Sequence, residues 1–178
     1  YLTFENWELD FLAAYIKNVH HYYIREHFPI ISNLANRVAM VHASEQPELV
    51  DYAKEVDTFL NEIYAHIEIE EKLLFPGANN LSMLTVEHAC QLVQYLRYEH
   101  GDLGVELQQL RRIIKHYLPP EGACYSYISL HAHLEALERD LCQHIHLEIN
   151  ILFPKLLKIY DSSSNSTNIF ETEGICSI

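Results

Sequence analysis

Two stretches of the chain, HIEIEEKLLFP (His66–Pro76) and HIHLEINILFP (His144–Pro154), are one segment written twice. Six of eleven positions coincide: the His, the Ile after it, the Glu four residues on, and the closing Leu-Phe-Pro, at an offset of 78 residues. A second pair, His21 and His100, is offset by 79. His and Glu at i and i+4 lie one turn apart on one helix face. The chain therefore reads as two similar helical hairpins. Each carries one His on its first helix and an HxxxE on its second.

Outward from the repeat, apolar residues recur at helical spacing along four long segments. The first runs from about Asn6 to Ala43, with Pro29 inside it as an expected kink or break. The second follows the turn at residues 44–47, carries Leu49, Val56, Phe59, Leu60, Ile63 and Ile67, and is expected to close at Pro76-Gly77. The third runs from about Thr85 to Tyr117, with a stripe from Leu92 to Ile114, before Pro119-Pro120. The fourth runs from about Ser126 to Tyr160. Short connections make neighbours antiparallel, so the expected fold is all-α, an up-down-up-down four-helix bundle over residues 1–160. Residues 161–178 form a polar C-terminal tail.

Composition excludes several functions. Acidic residues outnumber basic ones 25 to 12, giving a net charge of −13, so no nucleic acid and no anionic membrane is an expected partner. No apolar run approaches the ~20 residues that span a bilayer. Cys90, Cys124, Cys142 and Cys176 are widely spaced and form no zinc or redox motif, which fits reduced thiols in a cytoplasmic protein. The twelve histidines stand out, because beside 25 carboxylates they make an unusual supply of metal ligands.

Depth along the bundle selects among them. Measured from turns near residues 45 and 120, His21 and His66 differ in level by only about 5 Å, and His100 and His144 match similarly. Four histidines, with Glu70 and Glu148, can then meet at one level. Such a layer is costly unless it is protonated or binds cations, and two cations bridged by the carboxylates would relieve that cost. Imidazole with carboxylate suits iron or manganese, and two octahedral ions would keep about two positions for a small ligand such as O₂, NO or water. Ferritin-like bundles instead use Glu from two helices and Glu-x-x-His from the others. His131-xxx-Glu135 points roughly 140° away from His144 and reads as a surface pair. Glu71 and Glu99, next to candidate ligands, read first as a solvated face and alternatively as groups that hold those ligands. The tyrosines at 22, 23, 64, 95 and 98 read as core or interface residues.

The segment from Val19 to Pro29, then Val41-His42-Ala43, His66-xxx-Glu70-Glu71 with Leu74-Phe75-Pro76, Glu99-His100, and His144-xxx-Glu148 with Leu152-Phe153-Pro154, resembles the repair-of-iron-centres (RIC) family over about residues 7–157. These are haemerythrin-like di-iron proteins. The resemblance implies two iron ions, oxo- or hydroxo-bridged, on His21, His66, Glu70, His100, His144 and Glu148, with both glutamates bridging. It also implies a nitrosative and oxidative stress function, the repair of damaged iron–sulfur proteins by donation of iron. Many members carry a small N-terminal domain with a cysteine motif. This chain opens on Tyr1 without it, as expected of a piece that starts after that domain. His20 competes with His21 for the first ligand position, and register favours His21. His42 is a family motif position too, but on a continuous helix it lies about 31 Å from His21. Only a reversal at Pro29 would join them.

Haemerythrins have a further histidine on one helix, whereas Leu96 and Gly104 stand one turn either side of His100 here. That more open site fits loosely held iron better than a tuned oxygen carrier. The alternatives are an O₂- or NO-binding or sensing module and an NO-reducing di-iron enzyme. All share these ligands, and a homodimer stays open as the assembly.

Overall fold

A computed structural model describes residues 3–113 and 117–165. The described residues form four rods, with short 3-10 turns at Phe4–Asn6 and Leu81–Met83, and no strand occurs among them. Helix α1 joins Leu9–Tyr15, a wider π-helical segment Ile16–His21, and Tyr22–His42. Helix α2 joins Glu48–Ile69, π-helical Glu70–Leu74, and Phe75–Asn79. Helix α3 is Val86–Ile113. Helix α4 joins Tyr125–Leu147, π-helical Glu148–Leu152, and Phe153–Asn165.

Pairings across the seams show the antiparallel order. Between α1 and α2, Arg25 meets Glu71 and Asn36 meets Asp57. Between α1 and α4, His20 meets Asp140 and His42 meets Cys124. Between α2 and α3, Glu62 meets Glu106 and His66 approaches Glu99, and between α3 and α4 Arg111 meets Glu138 and His100 approaches Glu148. In each pair one number rises as the other falls, so the up-down-up-down bundle read from the sequence is the fold.

Two prolines, Pro29 and Pro76, behave differently from the expectation. Pro29 does not break α1, which is helical from Tyr22 to His42. Its ring faces solvent, so the Arg25 carbonyl deprived of a donor can turn to water. Pro76 does not end its helix either, and Pro154 stands inside α4, as the expected run to Tyr160 implies. Ahead of each, the chain widens by a π turn, in which Phe75 N–H bonds the Glu70 carbonyl and Phe153 N–H bonds the Glu148 carbonyl, five residues back. The proline then enters as the second residue of a fresh helical segment, where its missing N–H costs nothing. Helix α4 also continues to Asn165, so residues 161–165 of the expected tail are helical, while residues 166–178, Cys176 among them, and Ile114 lie outside the described residues.

The apolar stripes close into two clusters rather than one. Ile24, Ile31, Leu60, Ile63, Leu103, Leu130 and Leu137 belong to the first, at the end holding the α1–α2 turn. Leu12, Ile16, Leu74, Leu96, Leu152 and Phe153 belong to the second, at the other end. Between them lies a layer of buried polar side chains. His131, expected at the surface, is 3% exposed and packs edge-on against Tyr127. The buried stripe drifts around α4, and at its first turns it takes in His131, about 40° from Tyr127 and 60° from Leu134 at 100° per residue. Tyr22, Tyr64, Tyr95 and Tyr98, expected in core or interface, are exposed, and Tyr23 is half-buried.

Because Leu130 is fully buried in the cluster remote from the polar layer, Leu130→Ala should cost about 2–5 kcal/mol in urea unfolding. The same variant should retain the wild-type amount of bound metal in elemental analysis.

Candidate metal centre

The polar layer is built from all four helices. His21 closes the π segment of α1, His66 and Glu70 straddle the start of the π segment of α2, His100 stands mid-α3, and His144 and Glu148 repeat the α2 pattern on α4. All six side chains are 0–4% exposed. The π turns begin at the two glutamates, and such insertions recur at functional sites.

The six arrange as two sets that share both carboxylates. His21, His144, Glu70 and Glu148 offer four ligand atoms within 4.8 Å of one another, and so do His66, His100, Glu70 and Glu148. Glu70 turns Oε2 to His21 Nε2 at 3.3 Å and His144 Nε2 at 3.7 Å. Its Oε1 faces His66 Nε2 at 3.0 Å and His100 Nε2 at 3.6 Å. Glu148 turns Oε1 to His144 Nε2 and Oε2 to His100 Nε2, each at 3.1 Å. Each carboxylate thus spans the two sets with one oxygen apiece.

Hydrogen bonding does not account for this layer. Both oxygens of Glu70 and of Glu148, and Nε2 of His66 and His100, are buried without an aligned hydrogen-bond partner. Orphaned buried polar atoms are rare and call for an explanation. Neighbouring ligands of a six-coordinate ion with bonds of about 2.1 Å sit about 3.0 Å apart, which is close to the spacing found. The mixed nitrogen and oxygen donors suit borderline ions of the iron, manganese or zinc type. The residues present therefore fit a pair of cations.

Without a cation the layer must be charged by protons. Burial would lower the pKa of both His100 and His144, but Glu148 and Glu70 outweigh it, and the two are pushed up to about 9 and about 10. Burial would likewise raise the Glu70 carboxyl, yet His66, His100, His144 and His21 hold it well below the usual range. His100 and His144 must give up such a proton before a cation occupies their ring nitrogens.

Around this layer, the structure separates residues that the sequence left in competition. His21 points its Nε2 inward, with 3.1 Å to His144 Nε2. His20 is as deeply buried, but its Nδ1 lies 2.9 Å from Asp140 Oδ1, and its ring lies parallel to that of His144 at 5.8 Å. His42 stays at the far end of α1, where its Nε2 lies 3.2 Å from Cys124 Sγ at the N-cap of α4. Glu71 is not a solvated residue. Its Oε1 lies 3.0 Å from His21 Nδ1 and 2.6 Å from Arg25 Nη1. Its neighbours were visible in the sequence as an i, i+4 relation between His21 and Arg25, but that they converge on Glu71 depends on the α1–α2 register. Glu99 stays 31% exposed and 4.0 Å from His66 Nδ1.

Comparison with known proteins is consistent with this geometry. The family described as "Hemerythrin HHE cation binding domain" matches residues 15–156. The chain is 31% identical over 153 residues to the iron-sulfur cluster repair protein YtfE of Pectobacterium atrosepticum, covering 83% of this chain and 65% of that protein. It is 32% identical to the protein of that name from Edwardsiella ictaluri (84% and 66%). For that of Yersinia pseudotuberculosis the identity is 30% (86% and 70%). The chain thus spans about two thirds of the length of these relatives. No helix among the described residues is long and apolar enough to cross a membrane.

Two measurements follow from the positions of His21 and His42. In purified protein, His21→Ala should lower the metal content and His42→Ala should leave it at the wild-type level. The His42 hydrogen bond lowers the Cys124 thiol pKa, whereas burial raises that of Cys142. A lower pKa means more thiolate at neutral pH, so iodoacetamide should alkylate Cys124 before Cys142 between pH 6 and 8. His42→Ala should narrow that preference, since the burial of Cys142 is unaffected by it.

Proposed function

This chain belongs to the hemerythrin HHE cation-binding family, and on that premise we propose that it holds two iron ions in the buried layer and supplies iron for the repair of damaged iron–sulfur proteins. His21 and His144 hold one ion, His66 and His100 the other, and Glu70 and Glu148 bridge them. The observation that carries the reading is the pair of four-residue sets sharing two buried carboxylates. Iron among imidazole and carboxylate ligands exchanges between its ferrous and ferric forms and can take a small molecule such as O₂ or NO at a free position.

The rest is the work of the chain. The carboxylates offset the charge of two cations where water is absent. Apolar clusters above and below the layer hold the four helices together whether or not the layer is loaded. Iron as cargo can then leave without unfolding the protein. Residues one turn either side of His100 are Leu96 and Gly104, so α3 offers no second imidazole to tighten the site. Relatives named for iron–sulfur cluster repair support the assignment of target. Release of iron in response to nitrosative or oxidative damage of clusters would give the protein its place in a stress response.

The test is transfer. Iron-loaded protein should give up iron to a chelator of moderate strength and to an apo iron–sulfur protein supplied with sulfide, while its far-ultraviolet circular dichroism stays helical. The emptied protein should bind iron again. Retention of both irons, with a reversible O₂ or NO adduct over many cycles, would replace donation with gas binding. Full two-iron occupancy in a chain carrying both His66→Ala and His144→Ala would remove the metal assignment itself.

A further inference from the structure

All four imidazoles of the layer face the shared carboxylates with Nε2. They differ in what stands behind the ring at Nδ1. Behind His21, the Nδ1–H donates to Glu71 Oε1 at 3.0 Å. That carboxylate is itself held by Arg25 Nη1 at 2.6 Å and Lys17 Nζ at 3.1 Å. Arg25 is fixed in turn by Glu68 at 2.8 Å and lies over the Tyr64 ring. His144, in the same set, has no partner at Nδ1 and lies in parallel register with the His20 ring, so the brace of this set is the one on His21.

The other set has no such backing. His66 Nδ1 and His100 Nδ1 are buried without a hydrogen-bond partner. Glu99, the carboxylate near His66, is 4.0 Å away, too far to hold the ring. His100 is backed only by the flat face of Phe153, at 5.8 Å between ring centroids.

A carboxylate on the outer nitrogen of a ligating histidine fixes its tautomer, orients the ring and raises its basicity, and losing it typically costs 10–100-fold in metal affinity. The two sets draw on the same pair of bridging carboxylates, so this difference behind the rings is what separates them. Resting on the reading of a two-iron layer, we infer that the two positions are unequal by construction: the His66–His100 position gives up its iron first, and Glu71 is the positioning residue that makes the His21–His144 position retain its own. The protein then donates one iron and keeps the second as the seat for reloading.

The experiment follows release from iron-loaded protein to a moderate chelator by absorbance, with Mössbauer spectra of ⁵⁷Fe samples stopped at half depletion. Wild type should release in two phases of one iron each, and the half-depleted sample should hold a single type of site. Glu71→Ala should speed the slower phase about 10–100-fold, leaving the faster phase and the helical circular dichroism unchanged. Glu71→Asp should restore the slow phase, which a purely structural loss would not allow. His100→Ala should abolish the fast phase and keep the slow one. Release of both irons in one phase, acceleration of the fast phase by Glu71→Ala, or no change in either phase overturns the inference while leaving the two-iron reading intact. Failure of wild type to take up two irons overturns both.

Discussion

Two carboxylates with no exposed surface, Glu70 and Glu148, sit at the centre of a protein whose described interior is otherwise apolar side chains and histidines. Desolvating a carboxylate costs several kcal/mol unless positive charge stands against it. Each therefore needs partners from other helices, and the four histidines supply them from α1, α2, α3 and α4. A helix that slid by one turn would withdraw its imidazole and leave a charge uncompensated. The layer thus sets the relative height of the four helices, a choice that leucine stripes alone leave loose, since one leucine packs about as well as the next.

The bundle answers that constraint with local backbone chemistry. A regular α-helix that met Pro76 or Pro154 would lose a hydrogen bond and meet a ring clash with the carbonyl four residues earlier. The π turns at Glu70–Leu74 and Glu148–Leu152 absorb the conflict just where the glutamates must point inward. Repetition of Leu-Phe-Pro behind each HxxxE is therefore the signature of a widened turn, not of a helix end. Phe153 shows the second use of that signature, since its ring lies flat against His100. Phe75 does the same for His21, with ring centroids 5.3 Å apart.

Much of this was legible because it is periodic. The duplicated segment fixed two faces of the layer, and rise per residue placed His21 and His100 at the same height. The same arithmetic separated His42 from the layer, and Pro29, facing solvent, gave α1 no reason to reverse. Periodicity fails where a residue's surroundings come from another helix. Glu71 looked like a surface charge because its i±4 neighbours, Ile67 and Phe75, offer it no countercharge; its partners Lys17, His21 and Arg25 all belong to α1. His131 looked exposed when measured from His144, thirteen residues away, because small drifts of the buried stripe accumulate over that distance. The π turns were hidden for another reason: proline is ordinarily a stop, which is how Pro76 reads, and the apolar run that carries α4 through Pro154 says nothing of a widened turn.

The division of the core bears on how such a site could be both buried and labile. If the layer were the only link between the helices, emptying it would leave nothing but repelling charges, and release would mean unfolding. Here the first apolar cluster draws on all four helices below the layer, and the second does so above it. Each closes without reference to the polar side chains between them. Protons can replace cations in the layer, since Glu148 and Glu70 hold His100 and His144 in their protonated forms near neutral pH. The emptied layer is then a compensated set of ion pairs rather than a void of like charge. The exchange of cation for proton changes what occupies the centre while the scaffold on either side stays put, and it makes the tightness of each position a matter of what braces its histidines.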